Sequence, residues 1–193
     1  YPDDYLKIGL AALESNEADA VGGPLQHISN TEKGEVIAAC MSSSFGVGNT
    51  EFRTSKKRMY VDSAPFAIYK KDIFDQIGLF DTQLVRNQDD EFHYRINAAG
   101  YRILMIPEME TEYVVRDSFK KLFSQYFQYG SYKPLVLKKV KSSIRLRHII
   151  PSLFVLYLFT LPLCYWAPVW VIPLVLYIIF GFYFSGKLLK NPL

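Results

Sequence analysis

The stretch Ile77–Ile103, IGLFDTQLVRNQDDEFHYRINAAGYRI, holds a helix start, a helix stop and a strand in succession. Asp89, Asp90 and Glu91 open a helical run whose apolar positions are Phe92, Ile96 and Ala99. Gly100 falls where a left-handed helix stop belongs, and Tyr101 to Ile106 then read as a strand. Carboxylates favour the first turn of a helix, because its free N–H groups and dipole stabilise negative charge. By spacing alone, the three acids are a charged helix start.

The order of short motifs says more. Gly78-Leu79-Phe80-Asp81, then Asn87-Gln88-Asp89-Asp90-Glu91, then Arg95 and Ala99-Gly100-Tyr101 resemble the acceptor half of family 2 glycosyltransferases. The likeness is strongest to the membrane-bound branch that includes succinoglycan-type exopolysaccharide transferases. Upstream, Tyr1-Pro2-Asp3-Asp4-Tyr5-Leu6, Ala18 to Pro24, Phe45-Gly46-Val47-Gly48-Asn49 and Tyr60-Val61-Asp62-Ser63 fall in family order. The resemblance covers nearly the whole chain. Where the family usually writes Glu-Asp, this chain has Gln88-Asp89, which keeps the catalytic carboxylate.

What the resemblance implies is an α/β fold: the acceptor half of a GT-A domain over residues 1–117. An amphipathic, basic juxtamembrane segment over 118–148 and a transmembrane hairpin over 149–193 follow. The implied activity is inverting transfer of a sugar from a nucleotide-sugar donor to a glycan or lipid-linked acceptor, in cell-surface polysaccharide synthesis. Asp89 is the implied catalytic base. Asp90, Glu91, Arg95, Gly22, Gly23, Gln125, Gln128 and Tyr129 are the implied substrate-binding positions, the two glycines by letting a ligand approach the backbone. Like charge from Asp90 or Glu91 would raise the Asp89 pKa and the helix N-terminus would lower it; sequence does not rank the two.

A GT-A enzyme begins with a nucleotide-binding half of roughly a hundred residues in alternating strands and helices. In the family it ends in an Asp-x-Asp-like motif that holds a divalent cation, magnesium or manganese. The chain starts at Tyr1, just past that point, so it reads as a fragment with donor and metal ligands outside it. Asp3 and Asp4 precede Tyr5-Leu6-Lys7 in a helix-start pattern, with Leu6, Leu10 and Leu13 on one face. They read as a cap rather than as metal ligands.

Charge divides the chain. All 19 acidic residues lie at or before Asp117, against 12 Lys and Arg, a net −7; residues 118–193 carry 10 Lys and Arg and no acid. Such asymmetry places the two parts in different environments, one aqueous and one beside an anionic surface. From Ile149 to Phe184, 36 residues pass without a charge, which decides for membrane lipids over nucleic acid. One crossing needs about 20 residues. Pro162 and Cys164 to Pro168 mark a break, dividing the run into spans of about Ile149–Tyr165 and Val169–Phe184. Trp166, Trp170, Tyr157 and Tyr183 suit the headgroup level.

Lys138, Lys139, Lys141, Arg145 and Arg147 precede the first span, and Lys187 and Lys190 follow the second. The positive-inside rule puts both flanks in the cytoplasm. The expected location is therefore the inner plasma membrane, multi-pass, with a cytoplasmic catalytic domain. Between domain and spans, Ser118 to Tyr129 places apolar side chains at 119, 122, 123, 126 and 127, a helical stripe opposite Lys120 and Lys121. It reads as an interfacial helix, a helix packed on its own domain, or both.

Processive family members carry Gln-x-x-Arg-Trp in this helix. Here the matching residues are Gln125-Tyr126-Phe127-Gln128-Tyr129, and Gln128 supplies no fixed positive charge. That favours one transfer per encounter. Arg116 is either a substitute cation or a plain surface residue.

The remaining signals are plain. Cys40, in an Ala-rich helical stretch, and Cys164, in the apolar run, imply no disulfide. His27, His93 and His148 are too scattered for a metal site. After Cys40 periodicity fades, and the segment to Arg58, with Arg53, Lys56 and Lys57, reads as a basic loop, either covering a phosphate-bearing ligand or solvated. There is no internal repeat, and the first residues do not form a signal peptide. Two other classes stand beside the enzyme: an inactive membrane-tethered remnant or scaffolding module, and a transport subunit. The uncharged spans argue against transport.

Overall fold

A computed structural model of the chain describes residues 1–48, 50–140 and 146–190. Asn49, Lys141 and Arg145 lie outside the described residues, as do the side chains of Arg147 and Lys190. The core is a four-stranded sheet in the order β3-β5-β1-β4. Its strands are β1 (Ala20–Gly22), β3 (Met59–Tyr60), β4 (Ile68–Tyr69) and β5 (Ile103–Met105). The centre is parallel, Val21 facing Leu104 across β1 and β5, and the two edge strands run antiparallel. A second, two-stranded parallel sheet joins β2 (Leu25–Ile28) to β6 (Thr111–Val114).

Strand alternation sorts the core into two sides. Val21 and Leu104 join Tyr5, Ala12, Leu13 and Met109 under helix α1 (Tyr5–Glu14). Ala20, Ile103 and Met105 point the other way, into Ile73 of α5 (Lys71–Ile77) and Phe92 and Ile96 of α6 (Gln88–Ala98). The result is a helix–sheet–helix layering. α6 ends as the sequence predicts, at Gly100 with φ +84. The strand after it begins at Ile103, because the backbone at Tyr101 and Arg102 first closes the turn and meets Asp19.

Three expectations need correction. In α1 the buried face is Tyr5, Gly9, Ala12 and Leu13, while Leu6 and Leu10 are exposed. The reason is close approach: a Cβ at Gly9 would stand 2.5 Å from Ile68 Cδ1, so the small side of the helix lies on the sheet. Asp4 occupies the cap position, but its side chain accepts no cap hydrogen bond. The segment after α2 (Glu32–Ser42) is no plain loop, since it forms two one-turn helices, α3 (Ser44–Val47) and α4 (Glu51–Thr54).

α8 (Leu146–Phe159) is 14 residues long, about 21 Å at 1.5 Å per residue, short of the roughly 30 Å hydrocarbon core. Past Thr160 the chain tightens into 3₁₀ turns at Leu161–Tyr165 and Pro168–Val171, each with a proline at its start. Only the stretch Pro168–Leu188, 21 residues and mostly α9 (Ile172–Lys190), is long and apolar enough to cross a membrane among the described residues. The break near Pro162 is where the sequence puts it, and of the two short spans expected the second coincides with the helix of spanning length. Tyr157 and Trp170 tie the two helices, the Tyr157 hydroxyl donating to the Trp170 carbonyl and the indole N–H donating to Thr160 Oγ1. Phe45 of α3 stacks on Phe184 and packs on Tyr177 of α9.

α7 (Phe119–Lys139) runs ten residues beyond the expected Tyr129 and continues through Pro134. Ser118 caps it, accepting from the Lys121 N–H. One side faces the protein through Leu122, buried Gln125 and buried Val136. The other side leaves Phe119, Phe123 and Phe127 63–72% exposed, with the last two rings stacked. The expected packing on the domain is present, and the opposite side carries an exposed apolar stripe.

Candidate functional site

The first turn of α6 is set by an unusual residue. Asn87 precedes the helix in the left-handed region, φ 60, which asparagine tolerates better than most side chains. Its side chain is drawn away from capping and donates to the Tyr129 carbonyl of α7 at 3.0 Å. Next to it, Arg86 donates to Gln128 Oε1, and Lys133 donates to Asp90 Oδ2 at 3.0 Å and to the Tyr94 hydroxyl at 3.3 Å. Leu84, Tyr94, Val136 and Val140 close the same seam with apolar contacts. Helix α7 therefore holds the turn from which Asp89 emerges.

Asp89 is exposed to water on one side, yet the density of protein around it, ahead of the neighbouring Asp90 charge, pushes its pKa up. Backbone N–H groups at the helix start and Lys133 oppose the rise without cancelling it. The two opposing effects that the sequence leaves unranked are thus ranked. A carboxylate with a raised pKa is a better proton acceptor, as a general base requires.

The other sequence-derived positions separate into groups. Asp90, Gln128 and the Tyr129 carbonyl are held at the start of α6 by Lys133, Arg86 and Asn87 respectively. Glu91 is 3% exposed and forms a two-pronged ion pair with Arg95, whose guanidinium also donates to the Ile77 and Leu79 carbonyls. That pair fixes the 77–79 turn to α6 and has few donors left for a ligand. Gln125 sits in its own network, accepting from Arg116 and donating to the Tyr113 and Tyr129 hydroxyls. At Gly22 and Gly23 the room left by a missing Cβ is filled by the protein: a Cβ would lie 2.9 Å from Ala64 Cβ and 1.8 Å from the Met109 carbonyl oxygen respectively. Here the backbone that comes close is the chain's own.

A hollow of about 400 Å³ lies among Gly78, Asp81, Glu91, Arg95 and Lys139, and Asp89 does not line it. Among the described residues no three His, Cys, Asp or Glu side chains converge, so they do not make a metal site.

Sequence reasoning missed Lys133, Asn87, Tyr69, His93 and Ser63. His93 is 1% exposed, with Nδ1 at 2.9 Å from Ser63 Oγ and Nε2 at 2.8 Å from the Tyr69 hydroxyl. The usable signal is its spacing, four residues after Asp89 on one helix face. Nothing in the sequence pairs Lys133 with Asp90.

Burial pushes the His93 pKa down to about 4, against a small opposing pull from Asp90; burial and then Arg53 bring His27 to about 4. An unfolded histidine takes a proton near 6.5. Between the two values the unfolded chain binds more protons, so this stability is complete above about 6.5 and is lost as pH falls through about 4. The melting temperature of the detergent-solubilised protein should fall steadily across that window. Buried His93 would contribute at most about 1.4 kcal/mol per pH unit. A melting temperature that stays flat from pH 7 to pH 4 would contradict this.

No family model and no solved structure matches the chain. It is 28% identical over 151 residues, 78% of its length, to the succinoglycan biosynthesis protein ExoA of Rhizobium meliloti (strain 1021), covering 46% of that protein. It is 27% identical over 146 residues, 72% of its length, to the dolichyl N-acetyl-alpha-D-glucosaminyl phosphate 3-beta-D-2,3-diacetamido-2,3-dideoxy-beta-D-glucuronosyltransferase of Methanococcus voltae, covering 45% of it. The chain spans about half the length of the curated relatives it matches. Each likeness extends over most of the chain.

Proposed function

We propose that the chain is the acceptor half of an inverting GT-A glycosyltransferase of family 2. It moves a sugar from a nucleotide-sugar donor to a glycan or lipid-linked acceptor in polysaccharide or glycolipid synthesis. The observation that carries this reading is Asp89: a carboxylate at a helix start, raised in pKa, on a turn that α7 braces through Asn87 and Asp90. Inverting transfer is an in-line displacement at the anomeric carbon. The acceptor oxygen bonds to that carbon, the nucleoside diphosphate leaves with the bonding pair, and the hydroxyl proton goes to the Asp89 carboxylate.

Lys133 keeps Asp90 engaged, so Asp89 is the carboxylate of the pair left to accept the proton. Gln128 and Tyr129 serve as acceptor-side contacts. The magnesium or manganese ion expected with the diphosphate takes its ligands outside this chain. Phe119, Phe123 and Phe127 rest on the lipid surface, α9 enters it, and the acidic domain lies in the cytoplasm with the nucleotide sugars.

The test is transfer of label from a panel of nucleotide sugars by the intact protein in native membranes. Label should enter a lipid-linked or glycan fraction with at least one donor, and the new linkage should have the anomeric configuration opposite to the donor. Retention of configuration would contradict the reading.

A further inference from the structure

The turn between α2 and α4 carries a tip that the transfer step above does not use. From Val36 to Thr50 the chain has no charged residue, 15 positions in a protein that is 21% charged. In the middle of that run stands α3 (Ser44–Val47). A Cβ at Gly46 would lie 2.1 Å from the Cys40 carbonyl oxygen, so only glycine lets the chain turn back this sharply on the end of α2. The turn also bonds to itself. The Ser43 N–H donates to the Cys40 carbonyl, and the Gly46 and Val47 N–H groups donate to the Ser43 carbonyl. The Phe45 N–H donates to Ser43 Oγ, and the Thr50 hydroxyl donates to the Val47 carbonyl. Backbone groups satisfied in this way need no water.

Phe45 projects from this turn onto α9. Its ring stacks on Phe184 with centroids 5.3 Å apart and lies 5.4 Å from Tyr177, which also meets Phe154 of α8 at 4.7 Å. Between Tyr177 and Phe184 lies Gly181, where a Cβ would stand 3.7 Å from Phe45 Cε1, so glycine leaves the ring a seat. Residues 177, 181 and 184 share one face of the helix. Lys187 is the first charge after the uncharged run. Counted back from it at about 1.5 Å per residue, Phe184 lies about 4.5 Å and Gly181 about 9 Å along the axis. Where α9 crosses a bilayer, Phe45 therefore sits at the depth at which interfacial segments bury their apolar side chains.

We propose that α3 is a membrane-dipping tip of the acidic domain, immersed in the acyl chains beside α9 and seated there by Phe45 against Gly181. This rests on α9 spanning the membrane with Lys187 on the domain's side. The chemistry selects lipid as the partner: the turn is uncharged, its backbone is bonded internally, and the helix it rests on is apolar and unburied. Val47 packs in one cluster with Leu122 of α7, so the tip adjoins the helix whose Phe119, Phe123 and Phe127 are exposed. A single spanning helix lets a domain swivel. A tip held beside that helix, together with an apolar helix at the surface, fixes the height and tilt of the domain over the bilayer.

The experiment attaches a nitroxide to Ser44→Cys, an exposed position beside Phe45, and separately to Ile178→Cys on α9. It uses the full chain with Cys40→Ala and Cys164→Ala, in vesicles of phosphatidylcholine and phosphatidylglycerol. Collisions with oxygen, which concentrates in hydrocarbon, are compared with collisions with a water-soluble nickel chelate. Both positions should favour oxygen. Adding Phe45→Asp should lower the oxygen-to-nickel ratio several-fold at Ser44→Cys and leave Ile178→Cys unchanged. Nickel favoured at Ser44→Cys with oxygen favoured at Ile178→Cys overturns the proposal and leaves the spanning helix standing. Nickel favoured at both overturns the spanning helix, and this proposal with it. A ratio at Ser44→Cys that Phe45→Asp does not move overturns Phe45 as the anchor.

Discussion

Removing residues 149–193 should release most of the protein from membranes, while the intact chain stays bound through alkaline carbonate and high salt. The apolar helix explains the first outcome. Pro168–Leu188 has a mean hydropathy of 2.0 and none of it is buried by protein; beyond ring contacts from Phe45 and Phe154, its apolar surface is left free to meet lipid. At about 1.5 Å per residue it reaches about 32 Å, enough to cross. α8 is too short to do so alone and would sit beside it, tied through Tyr157, Thr160 and Trp170.

The truncated protein should keep a weaker, salt-sensitive attachment through α7. Phe119, Phe123 and Phe127 are exposed on one side, and each apolar side chain of this size gives up to about 3 kcal/mol when fully buried. Lys120 and Lys121 add roughly 1 kcal/mol each near an anionic surface, and that part vanishes in high salt. Replacing the three phenylalanines by serine in the truncated protein should abolish the remainder, read by vesicle sedimentation. An intact chain stripped by carbonate would refute the spanning helix.

The parts of this fold that are legible in the sequence are those fixed by near neighbours. α6, its Gly100 stop, and strands β1 and β5 follow from carboxylates at a first turn, a left-handed glycine and short apolar runs. The buried face of α1 does not, because Gly9 and Ala12 are chosen by how close the sheet comes, and Leu6 and Leu10 mislead by their size. Composition marks an uncharged run at 149–184, and Pro162 and Pro168 mark where its helices break.

The site divides the same way. Asp89 is visible as a motif, whereas Lys133 meets Asp90 across 43 residues and only after α7 has continued past Pro134. Ser63, Tyr69 and His93 come from three elements, so no local pattern joins them. Glu91 and Arg95 are four apart on a helix, a spacing that foretells their ion pair as readily as a ligand contact.

Asp89→Asn should lower transfer by about 10² to 10⁴, the usual cost of losing a positioned general base, while donor binding stays nearly intact. The variant should also melt higher than the wild type. The fold opposes ionisation of Asp89, so the native state binds its proton more tightly than the unfolded chain and loses stability as pH rises. Asparagine removes that charge. Lower activity with equal or greater stability cannot be ascribed to unfolding. Asp90→Asn should cost much less, since Lys133 holds that carboxylate in a supporting ion pair. Single-turnover transfer from a labelled nucleotide sugar, measured side by side for Asp89→Asn and Asp90→Asn in the intact protein, tests this most directly. The account predicts loss in the first and near wild-type turnover in the second; the reverse pattern would contradict it.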